Sequence, residues 1–235
     1  MWLMNADGTF TSTGVGQVDM AWNVVGTGKF FTGDARSDIV WRHDNGTVVI
    51  WRMNGAVVSG SFGLGQIPSP WSLIALGDFN GDGVTDMLWR HSSGALSEWQ
   101  MNGQATPAIA ANVPLGNIPT SWKVVGVGNF DANANARSGL LWRNDNGTVA
   151  IWNMNASGQI GSTAGGQTID NNWRVAGVGD FDGSGTADIL WRHMDGTLAI
   201  WFMNANGAIG STSGLGIVPT RPSTTQNVSA LPVPR

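Results

Sequence analysis

The segment "GDFNGDGVTDMLWRH" at residues 77–91 places four oxygen-bearing side chains in a glycine-rich turn: Asp78, Asn80, Asp82 and Asp86. Oxygens at alternate positions of such a turn can converge on one hard cation, and the carbonyl of Val84 could supply a fifth donor. An EF-hand would need flanking helices and a glutamate at the twelfth loop position, which is Trp89 here. The pattern therefore indicates either a calcium loop between strands or an Asp/Asn/Gly turn that only resembles one.

The overall composition excludes several classes of function. Charged residues make up 12% of the 235-residue chain, the net charge is −4, and the only lysines are Lys29 and Lys123. We therefore expect no nucleic-acid partner, since a phosphate-binding surface needs clustered basic side chains. Cysteine is absent, which excludes disulfides and thiolate chemistry. No apolar run approaches the roughly 20 residues that span a bilayer, so we expect no membrane insertion. The first residues do not form a signal peptide.

The chain contains four repeats with a period of 49 to 51 residues. Three classes of tryptophan recur once per repeat, and only Trp2 lies outside them. They are an opening tryptophan (Trp22, Trp71, Trp122, Trp173), a tryptophan before arginine (Trp41, Trp89, Trp142, Trp191) and a tryptophan two residues before methionine (Trp51, Trp99, Trp152, Trp201). A residue fixed in every repeat is more often part of the core than of a sugar-stacking surface, and this favours a packing role for the tryptophans.

Each repeat reads as four short strands. The runs "VVGVGNF", "DILWRH" and "TLAIWFMN" are strand-like, turn sequences such as "NDNG" separate them, and a weaker strand such as "AIGSTSG" follows. Four strands at this period predict an all-β protein, a β-propeller with one four-stranded blade per repeat. We assign residues 1–235 to a single propeller domain, whose repeats lie at about 22–70, 71–121, 122–172 and 173–221.

The two ends of the chain bear on how the ring closes. Residues 1–21 resemble the late strands of a blade, and residues 222–235 carry no calcium loop. Because a propeller protects the edges of its first and last blades by closing, we favour a five-bladed ring whose partial fifth blade combines these two segments. The alternatives are a longer propeller, or completion through another subunit, so that the protein is either a monomer or a homo-oligomer.

The aspartate loop, the "DILWR" strand and the "WxMNG" end resemble the FG-GAP or VCBS-type propeller repeats of bacterial secreted proteins, over residues 22 to about 215. Their loop is shared with integrin α-subunit propellers. The resemblance implies calcium as the cofactor and an extracellular or cell-surface location. It implies these ligands: Asp78, Asn80, Asp82, Val84 and Asp86 in repeat two, and Asp180, Asp182, Ser184, Thr186 and Asp188 in repeat four.

Repeats one and three depart from the pattern. Lys29 replaces the first ligand in repeat one, and Gly139 replaces the last aspartate in repeat three, whose loop is two residues longer. A loop that recurs at one corner of each blade and has lost ligands in two of four indicates a structural staple. We expect calcium to stiffen the turn.

Catalysis is not expected. Most aspartates lie in the four loops or in hairpin turns, and no placed carboxylate pair of the kind that a glycosidase needs is evident. The histidines occupy one repeat position, which argues against a single Ser-His-Asp centre. We therefore expect a protein that is not an enzyme.

Each tryptophan before arginine is followed by two polar residues: Arg42 and His43, Arg90 and His91, Arg143 and Asn144, Arg192 and His193. The arginines have two interpretations, as hydrogen-bond donors between blades or as ligand contacts. On the second interpretation these positions form repeated sugar sites, and the resemblance extends to propeller lectins. The sequence thus favours a multivalent carbohydrate-binding protein, with glycans or a protein ligand as partners. The alternative is a structural or protein-adhesion domain.

Overall fold

The computed structural model describes residues 2–4, 7, 9–12, 14–132 and 135–217, and this part of the chain is built of β-strands without a helix. It therefore contains no helix long and apolar enough to cross a membrane. Sixteen of the eighteen strands form four four-stranded antiparallel sheets, each with its strands in chain order. These sheets are the blades of the predicted β-propeller, one per repeat.

The strands of blade 1 are β3 (Trp22–Gly28), β4 (Asp38–His43), β5 (Thr47–Asn54) and β6 (Val57–Gln66). Those of blade 2 are β7 (Trp71–Gly77), β8 (Asp86–His91), β9 (Ala95–Met101) and β10 (Ile109–Asn117). Those of blade 3 are β11 (Trp122–Gly128), β12 (Gly139–Asn144), β13 (Thr148–Met154) and β14 (Ile160–Thr168). Those of blade 4 are β15 (Trp173–Gly179), β16 (Asp188–His193), β17 (Thr197–Met203) and β18 (Ile209–Ile217).

The blades follow one another through their first strands: β3 lies beside β7, β7 beside β11, and β11 beside β15. The three tryptophan classes fall on the first, second and third strands of each blade, and we call them the first-, second- and third-strand tryptophans.

The described residues give four blades rather than the five of the favoured ring. The segment before blade 1 contributes β1 (Trp2–Met4) and β2 (Phe10–Ser12), which pair with each other as a separate two-stranded sheet. Residues 222–235, the other half of the expected composite blade, lie outside the described residues. The five-bladed closure therefore stays a prediction.

A glycine in the hairpin between the second and third strands ties each of the first three blades to the linker that follows it. Gly46 has φ of 92°, and a Cβ there would lie 2.2 Å from the Ile67 carbonyl oxygen. Its own carbonyl accepts a hydrogen bond from the amide of Ile67. Gly94 and Gly147 make the same contacts with Ile118 and Ile169. Only glycine fits, since the conformation is left-handed and the approach is close.

The core lies between blades. The phenylalanine after the first strand of one blade is buried in an apolar cluster with the second-strand tryptophan of the next blade. The pairs are Phe30 with Trp89, Phe79 with Trp142, and Phe130 with Trp191. The equivalent Phe181 of blade 4 is 47% exposed, whereas the other three are 0% exposed. Each blade thus completes its core with its neighbour.

The loops between first and second strands are joined in the same direction. The backbone carbonyl of the first loop residue in one blade accepts a hydrogen bond from a backbone amide in the loop of the next blade. That amide belongs to the next-to-last residue of the loop. The three bonds are Thr85 to Lys29 at 2.7 Å, Ser138 to Asp78 at 2.7 Å, and Ala187 to Asn129 at 2.6 Å. The candidate calcium loops therefore sit in a continuous hydrogen-bonded row.

Candidate functional site

The first aspartate of the loop in blades 2 and 4 organises the turn around itself. The Asp78 carboxylate accepts hydrogen bonds from the amides of Gly81, Asp82 and Gly83 at 2.7 to 3.0 Å. In blade 4, Asp180 accepts from the amides of Gly183, Ser184 and Gly185 at 2.8 to 3.0 Å. The flanking loop glycines have positive φ, from 78° to 85°. The backbone of both loops is thus shaped by their own carboxylates.

The last aspartate of the loop is a buried link between the loop and the third strand. Asp86 accepts hydrogen bonds from the amides of Phe79 and Met101, both at 3.0 Å. Asp188 does the same with Phe181 at 2.8 Å and Met203 at 2.9 Å. Both aspartates are 0% exposed. Each carboxylate oxygen retains a second lone pair, so this role does not prevent metal ligation.

The carboxylates of blade 4 lie close enough to share one cation. Asp180, Asp182 and Asp188 each offer an oxygen, and these oxygens lie within 4.8 Å of one another. Calcium binds oxygens at 2.3 to 2.6 Å, so two ligands on opposite sides of the ion lie roughly 5 Å apart. The oxygen set and its spacing therefore fit calcium.

The remaining predicted ligands lie in the same loops. The Asn80 amide donates to Asp82 Oδ2 at 3.0 Å, and Ser184 Oγ lies 2.6 Å from Thr186 Oγ1. The Thr186 hydroxyl also donates to the carbonyl of Met203 at 2.9 Å, and Val84 is buried. The structure thus brings all ten predicted positions into two loops. Their assignment as calcium ligands stays a prediction.

Electrostatics differ between the two loops. Burial, and then the charges of Asp82 and Asp78, raise the pKa of Asp86 to about 7. Burial also raises the pKa of Asp78. In blade 4, the amide hydrogen bond from Gly185 is the main cause of a lowered pKa at Asp180, which is exposed. Because burial opposes ionisation, the carboxyl groups of Asp78 and Asp86 are harder to ionise than the exposed Asp180.

The loop of blade 1 carries its own cation. The Arg36 guanidinium donates to both Asp34 oxygens at 2.7 and 2.9 Å and to Asn54 Oδ1 at 2.8 Å, and Arg52 donates to Asp34 at 3.1 Å. The hydrogen bonds from Arg36 hold the pKa of Asp34 well below its usual range. Asp38 still links the amides of Phe30 and Met53. A guanidinium therefore balances the loop charge here.

The loop of blade 3 uses the same arginine position. Arg137 Nε donates to the carbonyl of Met154 at 3.0 Å, where blade 4 uses Thr186 on the equivalent Met203. Gly139 supplies no carboxylate, and a Cβ at that position would lie 2.7 Å from the Trp152 carbonyl oxygen. The sequence signal for these loop arginines was the "ARS" that repeats one and three share. Residue-by-residue matching to the calcium pattern missed it.

The arginines after the second-strand tryptophans join adjacent blades. Arg42 donates to the Ile67 carbonyl at 3.2 Å, Arg90 donates to the carbonyls of Ile118, Pro119 and Trp122, and Arg143 donates to those of Ile169, Asp170 and Trp173. Each guanidinium carbon also lies 5.6 to 5.9 Å from the ring centroid of the next blade's second-strand tryptophan. These contacts agree with the first interpretation of the arginines, as hydrogen-bond donors between blades. The linker that would face Arg192 lies outside the described residues.

The histidines cap hairpin turns. His43 and His91 each accept an amide hydrogen bond through Nδ1 at 3.1 Å, and His193 accepts one at 3.3 Å. Their rings lie 5.0 to 5.1 Å from the first-strand tryptophans of their own blades. Asn144 caps the equivalent turn of blade 3 through Oδ1 at 3.1 Å. His193 Nδ1 also lies 2.8 Å from Asp195 Oδ1, and hydrogen bonds from Thr197 are the main cause that lowers the pKa of Asp195 to about 2.

An open pocket of about 490 Å³ lies between blades 1 and 2 at one of the predicted sugar positions. Its polar walls include Asn23, Arg42, His43 and Asp44 from blade 1, and Trp71 closes it from blade 2. We call it the polar pocket. It combines an aromatic surface with several hydrogen-bonding groups, the combination that fixes a polar ligand with an apolar face.

A second kind of pocket was not anticipated from the sequence. Trp71, Trp89 and Trp99 line a cavity of about 240 Å³ in blade 2, and Trp22, Trp41 and Trp51 line one of about 190 Å³ in blade 1. The packing interpretation holds for the buried second-strand tryptophans of blades 2, 3 and 4. The other two classes are only partly buried.

Comparisons with known proteins agree with this architecture. Residues 31–89 match the family model of the FG-GAP-like repeat, and with the fold this supports an FG-GAP-like repeat β-propeller. No curated protein matches the sequence.

Among solved structures, the chain is similar to an Agrocybe aegerita lectin described for its specific recognition of non-reducing terminal N-acetylglucosamine. The two share 17% identity and a TM-score of 0.62, over 81% of this chain and 51% of the lectin. This chain therefore spans about half the length of that protein. The computationally designed Ika8 protein matches over 77% of this chain and 48% of its own, with 14% identity and a TM-score of 0.41.

Proposed function

We propose that this protein is a calcium-stabilised β-propeller module that binds carbohydrate between its blades and has no catalytic activity. The observation that carries the proposal is the polar pocket between blades 1 and 2, where Arg42 and His43 face Trp71 across an open cavity. A pyranose presents an apolar face of C–H groups and a rim of hydroxyls, and such a pocket offers a counterpart for each.

The fold comparison supports the same proposal. The lectin with a similar fold recognises terminal N-acetylglucosamine, which makes glycans ending in this sugar the first ligands to test. The predicted positions recur as Arg90 with His91 and Arg192 with His193, whereas Arg143 stands beside Asn144, so blade 3 should hold the weakest of these sites. Repeated sites of low individual affinity gain avidity when a multivalent glycan reaches several of them.

Calcium has a structural role in this proposal. The candidate ligands of blades 2 and 4 lie on loops whose last aspartate links the first and third strands. A bound ion would neutralise the clustered carboxylates and hold the loop against the next blade. The metal would thus stabilise the pockets without touching the sugar.

The absence of catalysis is part of the proposal. Asp78 and Asp86 accept backbone amides and Asp34 pairs with arginine, and Glu98 is buried beside Gly158 of blade 3. None of these arrangements resembles a carboxylate pair flanking a substrate. We also propose an extracellular or cell-surface location, because calcium loops and glycan ligands both suit it.

A glycan array followed by titration calorimetry tests the proposal on the full chain loaded with calcium. His43→Asn is the informative variant, because Asn144 caps the same turn in blade 3 and the fold should be kept. We expect at least tenfold weaker binding at one site, about 1.4 kcal/mol. If the affinity and the number of sites are unchanged, the polar pocket does not bind the glycan. An array on which the wild type binds no glycan would favour the adhesion alternative.

A further inference from the structure

The same pocket occurs in two blades at matched positions. In blade 2, Ile67, Ser97 and Asn112 complete the walls made by the three tryptophans. In blade 1 the corresponding residues are Val18, Val49 and Ser61. We call these cavities the tryptophan pockets. A cavity that recurs with the repeat reflects how the blade is built and not a local packing defect.

The walls of the tryptophan pockets favour a neutral ligand. The second- and third-strand rings are tilted rather than parallel, with centroids 5.2 Å apart in blade 2 and 4.9 Å apart in blade 1. None of the residues that line either cavity is charged. A charged ligand would therefore lose its hydration without finding an opposite charge. A ligand with an apolar face would gain contact area against three indoles.

Polar groups in the pocket define what the rest of the ligand must carry. In blade 2, Ser97 Oγ donates to Asn112 Oδ1 at 2.5 Å, so the Asn112 amide N–H₂ remains as a donor at the pocket wall. The indole N–H groups of Trp41 and Trp89, like those of Trp142 and Trp191, are buried where a ligand in the cavity does not reach them. A ligand with hydroxyl or carbonyl oxygens around an apolar face can accept from the Asn112 amide.

We propose that the tryptophan pockets of blades 1 and 2 are sugar subsites distinct from the polar pocket. Each takes one neutral pyranose, with its apolar face against the first- and third-strand tryptophans, and in blade 2 one of its oxygens accepts from the Asn112 amide. This rests on the proposed function. The volumes, about 240 and 190 Å³, fall below the roughly 300 to 1,000 Å³ of pockets for drug-sized ligands, so each holds a single sugar residue.

Nuclear magnetic resonance of the indole N–H groups tests the proposal directly, because each tryptophan gives its own signal. Calcium-loaded full chain is titrated with methyl pyranosides, including the methyl glycoside of N-acetylglucosamine. We expect saturable shifts at Trp99 and Trp51, which line the tryptophan pockets and not the polar pocket. Saturable binding that leaves both of these signals unchanged would overturn the subsites.

Two substitutions at Ser97 complete the test. Ser97→Val copies blade 1 but removes the hydrogen bond that orients Asn112, so it should weaken binding at that one site less than tenfold, whereas Ser97→Phe fills the cavity and should weaken it at least tenfold. If Ser97→Phe does not fold, the indole chemical shifts of the wild type still test the proposal. If Ser97→Phe binds like the wild type while His43→Asn loses a site, the tryptophan pockets are rejected and the proposed function stands. If no pyranoside or glycan binds the wild type, both proposals fail.

Discussion

The loops of blades 1 and 4 connect the same two strands and solve the same electrostatic problem differently. In both, a buried aspartate accepts two backbone amides, Asp38 in one and Asp188 in the other. Blade 1 balances its second carboxylate with Arg36, whereas blade 4 gathers three carboxylates within 4.8 Å. The comparison teaches that the buried link is common to both designs, whereas the charged groups above it differ: an arginine in blade 1 and two further carboxylates in blade 4.

The largest effect should come from removing the common link. Asp38→Ala and Asp86→Ala each leave two amides without their acceptor in a buried site, at about 1 to 3 kcal/mol per group. We expect each variant to lose about 2 to 6 kcal/mol of unfolding free energy, measured by urea denaturation. A loss confined to Asp86→Ala would show that the link is not common to the two designs.

Glu98 provides a third case, a buried acid with no cation. It occupies the position of Ile50, Ile151 and Ile200 in the other blades, it is 0% exposed, and its Oε2 has no hydrogen-bond partner among the described residues. Burial raises its pKa to about 8. The folded state therefore favours the protonated form of Glu98. The free energy of unfolding is highest below the unfolded-state pKa of about 4.5 and decreases as the pH rises toward 8.

We expect Glu98→Ile to remove this pH dependence and to be more stable than the wild type at pH 8 and above, by roughly 3 to 5 kcal/mol. The measurement is the unfolding free energy of both proteins between pH 5 and 9. Parallel curves over that range would show that Glu98 titrates normally.

Metal removal should separate the two loop designs. A calcium site contributes about 2.7 kcal/mol to the free energy of unfolding when the free calcium concentration is a hundred times its Kd. Chelation should therefore lower the melting temperature of the wild type. Asp86→Ala combined with Asp188→Ala should abolish the response to calcium. An unchanged melting temperature on chelation would show that the loops of blades 2 and 4 are not calcium staples.

The smallest effect should follow from Arg36→Met, which keeps much of the side-chain volume and removes the guanidinium. The ion pair with Asp34 is partly exposed and therefore weak. We expect a slightly lower melting temperature, with the decrease the same in calcium and in chelator. A decrease that calcium reverses would mean that Asp34 joins a metal site once the arginine is gone.

Much of the architecture was predictable because the repeats are explicit in the sequence. The tryptophan classes set the period, the turn glycines set the hairpins, and the resemblance to FG-GAP-type repeats placed the ten candidate ligands in two loops. The ring closure was less accessible, because no repeat pattern covers residues 222–235. The tryptophan pockets were missed because repetition at a fixed strand position indicates packing, yet Trp71 and Trp99 both pack and line a cavity. Arg36 was missed because its partner Asp34 lies on an inserted turn.

The row of loop-to-loop hydrogen bonds has a consequence for cooperativity. Each of the first three blades gives a phenylalanine, an arginine and a loop carbonyl to the blade that follows, and none of these contacts skips a blade. The free energy of such an array approximates a sum over blades and over nearest-neighbour interfaces. An inserted copy of one repeat would meet the same donors and acceptors on both sides. We therefore expect the contacts between blades to be kept when a repeat is gained or lost.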